Sequence, residues 1–170
     1  MLTGNPGHAK SFDYVGLHQY SLTFCTYNRT RYFTDRTHVD VVFEQIVRSA
    51  TENGFEIFAY CFMPDHLHLL VEGMSDASNA LTFINRAKQY SGYYFKHAFG
   101  TKLWQRYGFE HTLRDDEAAL SVARYILENP VRAGLVDRVQ DYPFCGSRMY
   151  RLEDVLDAVA MIPSSQKTPG

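Results

Sequence analysis

The order of elements in this sequence predicts an α+β fold: a ferredoxin-like (βαββαβ) antiparallel sheet covered by helices, with a C-terminal helical extension. Three observations carry that expectation. Val39, Val42, Phe43, Ile46, Val47 and Ala50 recur at the spacing of one helical face between two strand-like runs. Two apolar runs, 55–63 and 66–71, meet across Pro64-Asp65, a link so short that it favours an antiparallel hairpin. A second long helical stretch from Ser78 to about Phe99 precedes another strand and a helix begun by acidic residues.

Taken in chain order, residues 1–14 are polar with Gly4, Pro6 and Gly7 and read as a flexible N-terminal arm. A single domain is expected over 15–162, with 163–170 as a loose tail. Leu17 to Tyr27 alternates with β-branched and aromatic residues, as a strand does. Thr37 reads as the N-cap of the first helix, and Asn53-Gly54 as its stop. Phe55 to Met63 is apolar on both faces, which suits a central strand covered from two sides. In the second helix, capped by Ser78, the inner face is expected to be Leu81, Ile84, Ala87, Tyr90 and Tyr94. Leu103 to Arg114 contains a strand interrupted near Gly108. Asp115 then caps a helix with acids in its first turn, which must end or kink at Pro130. Leu152, Val155, Leu156 and Val159 give one more short amphipathic helix.

Composition narrows the function classes. With 45% apolar residues in 170, the chain can bury a core without staples. Its three cysteines lack CxxC spacing and read as buried free thiols. No apolar run is long enough to span a bilayer and no signal-peptide pattern stands at the start, so the cytoplasm is expected and a membrane partner is not. A net charge of -2 gives no global sign of a nucleic-acid partner, although Arg29, Arg31 and Arg36 cluster after the first strand. Aromatics make up 15%, serving a ring-rich core or, in part, stacking platforms for bases.

The stretch with most chemical content is Pro64-Asp65-His66-Leu67-His68-Leu69-Leu70-Val71. Alternate strand residues share a face, so His66 and His68 project together and two imidazoles can converge on one metal ion. The same pair also suits two hydrogen-bonded histidines at the edge of a core. Tyr125 and Asn129 stand four apart, on one face of the third helix. A phenol can act as a covalent nucleophile and an amide oxygen can complete a metal shell. Read alone, such a tyrosine is more often a core or interface residue than a nucleophile, and such an asparagine more often a helix cap before Pro130 than a ligand.

Four blocks in one order add a resemblance. They are Leu22-Thr23-Phe24-Cys25-Thr26-Tyr27-Asn28-Arg29; Met63-Pro64-Asp65-His66-Leu67-His68-Leu69-Leu70; Leu103-Trp104-Gln105-Arg106 with Glu110-His111-Thr112-Leu113-Arg114; and Tyr125-Ile126-Leu127-Glu128-Asn129-Pro130-Val131-Arg132-Ala133-Gly134-Leu135-Val136. Together they cover roughly Leu17 to Ser147, and the chain resembles the single-tyrosine HUH transposases in their REP-associated tyrosine transposase branch. One segment departs: the family's aromatic-Pro-x-Ser-Ser-aromatic pattern stands here as Tyr142-Pro143-Phe144-Cys145-Gly146-Ser147.

The resemblance implies an enzyme that cleaves and rejoins single-stranded, hairpin-forming DNA through a 5′-phosphotyrosine intermediate, aided by Mg²⁺ or Mn²⁺. It implies His66 and His68 as metal ligands, Asn129 as a third ligand and Tyr125 as the nucleophile. Lys88 and Arg114 fall where the family carries basic residues and are candidate DNA contacts, with solvated surface charge as the other reading of both. Some relatives exchange the tyrosine helix between subunits, so a homodimer is one expected state and a monomer the other. Two rival functions share these residues: a non-catalytic single-stranded nucleic-acid-binding module, and a zinc hydrolase built on His66, His68 and His111.

Overall fold

A two-residue link between strands leaves a hairpin as the only short closure, and that hairpin is the centre of the molecule. The computed structural model describes residues 14–107, 109–113 and 116–163. Its elements are β1 (Gln19–Cys25), a 3-10 turn (Tyr27–Arg29), α1 (Arg36–Glu52), β2 (Phe55–Met63), β3 (His66–Gly73), α2 (Ala80–Phe99), β4 (Phe109–Leu113), α3 (Asp116–Leu127), α4 (Asn129–Arg132), β5 (Cys145–Gly146) and α5 (Leu152–Ala160). The sheet runs β4-β1-β3-β2-β5 with antiparallel pairing throughout. Its first four strands realise the expected βαββαβ plan. The C-terminal extension is helical at α5 but also lays β5 along β2, pairing Cys145 with Cys61 and Gly146 with Tyr60.

One bulge sets which side chains face which layer. The β2–β3 register shifts between Ile57 and Ala59, so Phe58 is the extra residue. Phe55, Ile57 and Phe62 therefore join one core with Leu67, Leu69 and Val71, beneath α1 and α2. Ala59, Cys61 and Met63 join Leu70 in a second core beneath α3 and α5, with Ala119, Ala123, Ile126, Leu127, Val155 and Val159. Helices thus cover both sheet faces, as the apolar β2 requires. Among the described residues no helix is long and apolar enough to cross a membrane.

Three local expectations need correction. Asp35, not Thr37, caps α1: its carboxylate accepts from Thr37 N at 2.8 Å and from Thr37 Oγ1 at 2.7 Å, and an anion is the stronger acceptor at a helix N-terminus. Asn79, not Ser78, caps α2, because the Ser78 hydroxyl donates to Gly54 O at 2.7 Å instead. The buried face of α2 is Ala80, Phe83, Ala87, Ser91 and Phe95, rotated from the expected stripe, of which only Ala87 is fully buried. Buried Ser91 is tolerated because its hydroxyl donates to Ala87 O and accepts from Trp104 Nε1 at 2.8 Å. The expected N-terminal arm up to residue 13, Gly108, Arg114, the Asp115 cap and most of the tail lie outside the described residues.

Leu67, between the two histidines, points into the α1/α2 core and is fully buried. Leu67→Ala is expected to cost about 2–5 kcal/mol of stability in chemical denaturation, the range for a truncated core leucine. A loss below about 1 kcal/mol would show that this core does not brace the strand.

Candidate active site

The hairpin tip is tied down from two sides. Thr26 donates through its N and Oγ1 to Asp65 O, both at 3.0 Å, and Phe33 N donates to Pro64 O at 3.0 Å. Beyond the tip, β3 starts at His66, which pairs with Met63 on β2 and Cys25 on β1; His68 pairs with Cys61 and Thr23. Period-two alternation sends both imidazoles to the side of the sheet that α3 covers. Their Nε2 atoms stand 3.1 Å apart with the rings at 90°.

Each ring is oriented through its other nitrogen. His66 Nδ1 lies 2.7 Å from Asp65 Oδ1, and the other Asp65 oxygen accepts from Arg29 Nε at 2.9 Å. A carboxylate only accepts, so His66 donates from Nδ1, and in the neutral ring the lone pair is on Nε2, which faces His68 Nε2. His68 Nδ1 lies 3.0 Å from Thr23 Oγ1, a group able to donate or accept and hence to serve either tautomer of His68. Partial burial alone would raise the Asp65 pKa, but the hydrogen bonds from His66 and Arg29 outweigh it and hold the carboxyl below its ordinary value.

Burial, reinforced by His66, Arg132 and Arg29, depresses His68 from 6.5 to about 3. His68 is therefore neutral at physiological pH, as a metal ligand must be. It also links stability to acidity. Between these two values the unfolded chain takes up a proton that the folded one refuses, so stability falls as pH drops from about 6.5 toward 3. The slope contributed is at most about 1.4 kcal/mol per pH unit. Thermal melts of metal-free protein between pH 7.5 and 4.5 should show a decline that is shallower in His68→Gln; identical slopes would mean that His68 is protonated when folded.

Tyr125 lies on α3 with its ring centroid 6.4 Å from that of His68, edge to face, and its side is 42% exposed. Pro130 interrupts the helix, and a short α4 restarts at Asn129. Seven residues on, Arg132 lies over Tyr125: its guanidinium carbon sits 4.1 Å from the ring centroid and its Nη2 donates to the Tyr125 backbone oxygen. Glu128 accepts from Arg124 at 3.0 Å and lies 3.8 Å from Arg132, holding both arginines in place.

The structure thus brings together His66, His68 and Tyr125. Asn129 is half-buried one turn beyond Tyr125, and its side chain hydrogen-bonds to neither imidazole. Lys88 is tucked away rather than extended: Nζ donates to Gln105 O at 3.3 Å and lies 5.4 Å from the Phe24 ring, and burial lowers its pKa. Arg114 lies outside the described residues, and of His111 only the pairing of its backbone with Ser21 is described. Thr23, Asp65, Arg29 and Arg132 were not singled out from sequence for the site. Only Asp65, next to His66 in the turn, carried a local signal.

The donor set fits a divalent ion. Bonds of about 2.1 Å at right angles place two ligand atoms roughly 3 Å apart. That is the Nε2 separation here, with both Nδ1 atoms engaged elsewhere. Among the described residues no three His, Cys, Asp or Glu side chains converge, so the remaining positions would fall to amide, water or substrate oxygens.

Comparison with known proteins follows the same blocks. The family model described as "Transposase IS200 like" matches residues 14–129, more than half of the chain. The chain belongs to the IS200-like transposase family. A REP-associated tyrosine transposase of Escherichia coli (strain K12) is 32% identical over 112 residues, 64% of each chain. A Haemophilus influenzae relative carrying the same REP-associated tyrosine transposase name is 28% identical over 138 residues, 74% of this chain and 77% of the relative. Among solved structures, a REP-associated tyrosine transposase bound to a REP hairpin matches with TM-score 0.67 and 25% identity, over 79% of both chains. Both the expected family branch and the α+β fold are thereby established, and with them a role in DNA transposition. Transposases of this family generally use a divalent metal ion.

Proposed function

We propose that this IS200-like transposase cuts and rejoins single-stranded DNA next to a hairpin, through a covalent bond between Tyr125 and a 5′-phosphate. The observation that carries the reading is the convergence of two oriented Nε2 atoms with an exposed phenol 6.4 Å from His68, ring to ring. The structural relative bound to a REP hairpin supports hairpin DNA as the substrate class.

In the reaction, the Tyr125 oxygen attacks the scissile phosphorus in line and the bond from phosphorus to the 3′-oxygen breaks. The phenolic proton is lost, the leaving 3′-oxygen gains one, and the downstream strand stays attached as a 5′-phosphotyrosine. Attack by a free 3′-hydroxyl reverses the step and reseals a strand, with no external energy source. His66 and His68 would hold the divalent ion, with Asn129 as the candidate third ligand. When bound, Mg²⁺ or Mn²⁺ supplies Lewis-acid charge to the non-bridging phosphate oxygens. Two neutral imidazoles suit Mn²⁺ at least as well as Mg²⁺. Asp65 and Thr23 orient the ligands, and Arg132 fixes the tyrosine ring. The approach of Tyr125 to His68 within one chain supports a site assembled in cis, for which a homodimer is not required.

A binding module without chemistry is less well supported, because helices cover both faces of the sheet on which bases would stack. Covalent capture tests the proposal: short hairpin DNAs labelled at either end are incubated with protein and Mn²⁺ or Mg²⁺, then run on denaturing gels. The expected result is a metal-dependent adduct carried by the 3′ fragment. DNA that is bound without attachment would leave only the binding module, and cleavage without any adduct would make water the nucleophile.

A further inference from the structure

We infer that the loops beside the hairpin tip form a stacking platform for unpaired DNA bases adjoining the scissile phosphate, centred on Tyr27 and Tyr107. The inference rests on the proposed single-stranded substrate and goes further by placing where its bases lie.

The charge of the chain is segregated. Against a net charge of -2, the segments at 27–31 and 102–106 bring the exposed Arg29, Arg31, Lys102 and Arg106 to one end of the sheet. The two segments are bonded together: Thr26 bridges Trp104, Tyr27 N donates to Leu103 O at 2.8 Å, and Gln105 N donates to Cys25 O at 3.0 Å. Both are braced from below, since Trp104 is buried against Phe24 and Phe33 while Lys88 holds Gln105 O.

On this base two tyrosines stand outward, Tyr27 at 42% and Tyr107 at 44% exposure. Each has its own cation: Lys102 Nζ is 4.7 Å from the Tyr27 ring centroid, and Arg106 is 5.3 Å from that of Tyr107. A single strand uses both features, rings for its bases and cations for its phosphates. A duplex has its base faces already stacked and cannot use the rings. The patch is continuous with the active site, because Arg29 sits in the 27–31 loop and holds Asp65, which orients His66. Asn28 and Arg29 both adopt left-handed backbone (φ 54°), held by the hydrogen bonds of Thr26, Tyr27 and Thr30 around them.

The test uses the full chain and a hairpin oligonucleotide with a single-stranded flank carrying 2-aminopurine, read by fluorescence quenching and by anisotropy. Tyr27→Ala and Tyr107→Ala are each expected to weaken flank binding roughly 5- to 150-fold and to relieve the quenching, while Tyr27→Phe restores both. A flankless hairpin should bind all variants within about twofold. Lys102→Ala with Arg106→Ala should flatten the salt dependence by about 0.7 per lost contact. Flank affinity and quenching that stay at wild-type level in both alanine variants would overturn the platform. If the wild type forms no covalent adduct yet quenching depends on Tyr27, the platform stands and the strand-transfer reading falls.

Discussion

Tyr125→Phe is expected to abolish covalent DNA capture while leaving fold and DNA affinity nearly intact. The substitution removes one oxygen. The hydroxyl makes no hydrogen bond among the described residues, and the ring is partly exposed, so no buried partner is orphaned. The edge contact to His68 and the Arg132 guanidinium over the ring act on the π-face, which phenylalanine keeps. Melting temperature should shift by no more than about 2 °C, consistent with a surface change of under about 0.5 kcal/mol. Binding to a hairpin with a single-stranded flank should change by less than about twofold. Adduct formation should fall below detection, because no other group replaces the attacking oxygen. An adduct that survives would move the nucleophile to another of the twelve tyrosines, which mass mapping of the attached peptide would name. Strand cleavage that survives without an adduct would instead identify water.

Much of this geometry is legible in the sequence, and the illegible parts share a cause. His66 and His68 could be placed on one face because strand alternation is a local rule, and the hairpin because Pro64-Asp65 leaves no room for a crossover. The face of α2 was misread for a physical reason. Its tyrosines look apolar by composition, yet Tyr94 stays exposed and Tyr90 turns its hydroxyl to Glu52 at 2.8 Å, while Phe83 and Phe95 fill the core. Burial of Ser91 depends on Trp104, thirteen residues away, and no periodicity announces that. The same holds at the site. Thr23 meets His68 only through β1–β3 register, and Arg29 meets Asp65 only through the closure of two loops. The bulge at Phe58 decides which half of β2 lies beneath α3, and nothing in the run 55–63 marks it. The candidate ligands and the candidate nucleophile are thus readable as residue types at short spacings. Their supports are long-range, and composition averages them away, as the net charge of -2 does for the cationic loops.

His66→Ala and His68→Ala should each abolish metal-dependent strand transfer and weaken Mn²⁺ binding by at least about 100-fold, read by titration calorimetry or electron paramagnetic resonance. Two imidazoles converge among the described residues, so removing either leaves one nitrogen of that pair, and a single neutral donor does not compete with water for such an ion. The two variants should differ in what else they change. His68 packs against the Tyr125 ring, so its loss leaves a void beneath α3 and the Thr23 hydroxyl without its partner. His66 is nearer the tip, and its loss frees Asp65 while the Arg29 pair keeps that carboxylate compensated. His68→Ala should therefore lower thermal stability more than His66→Ala in metal-free protein. Asp65→Asn is the graded control: the amide no longer enforces the Nδ1–H tautomer of His66, and loss of such a partner weakens metal binding about 10- to 100-fold. Unchanged Mn²⁺ affinity in both histidine variants would mean that the ion binds elsewhere. The close pair of imidazoles would then be a hydrogen-bonded element of the core, and Tyr125 would need another source of electrophilic assistance.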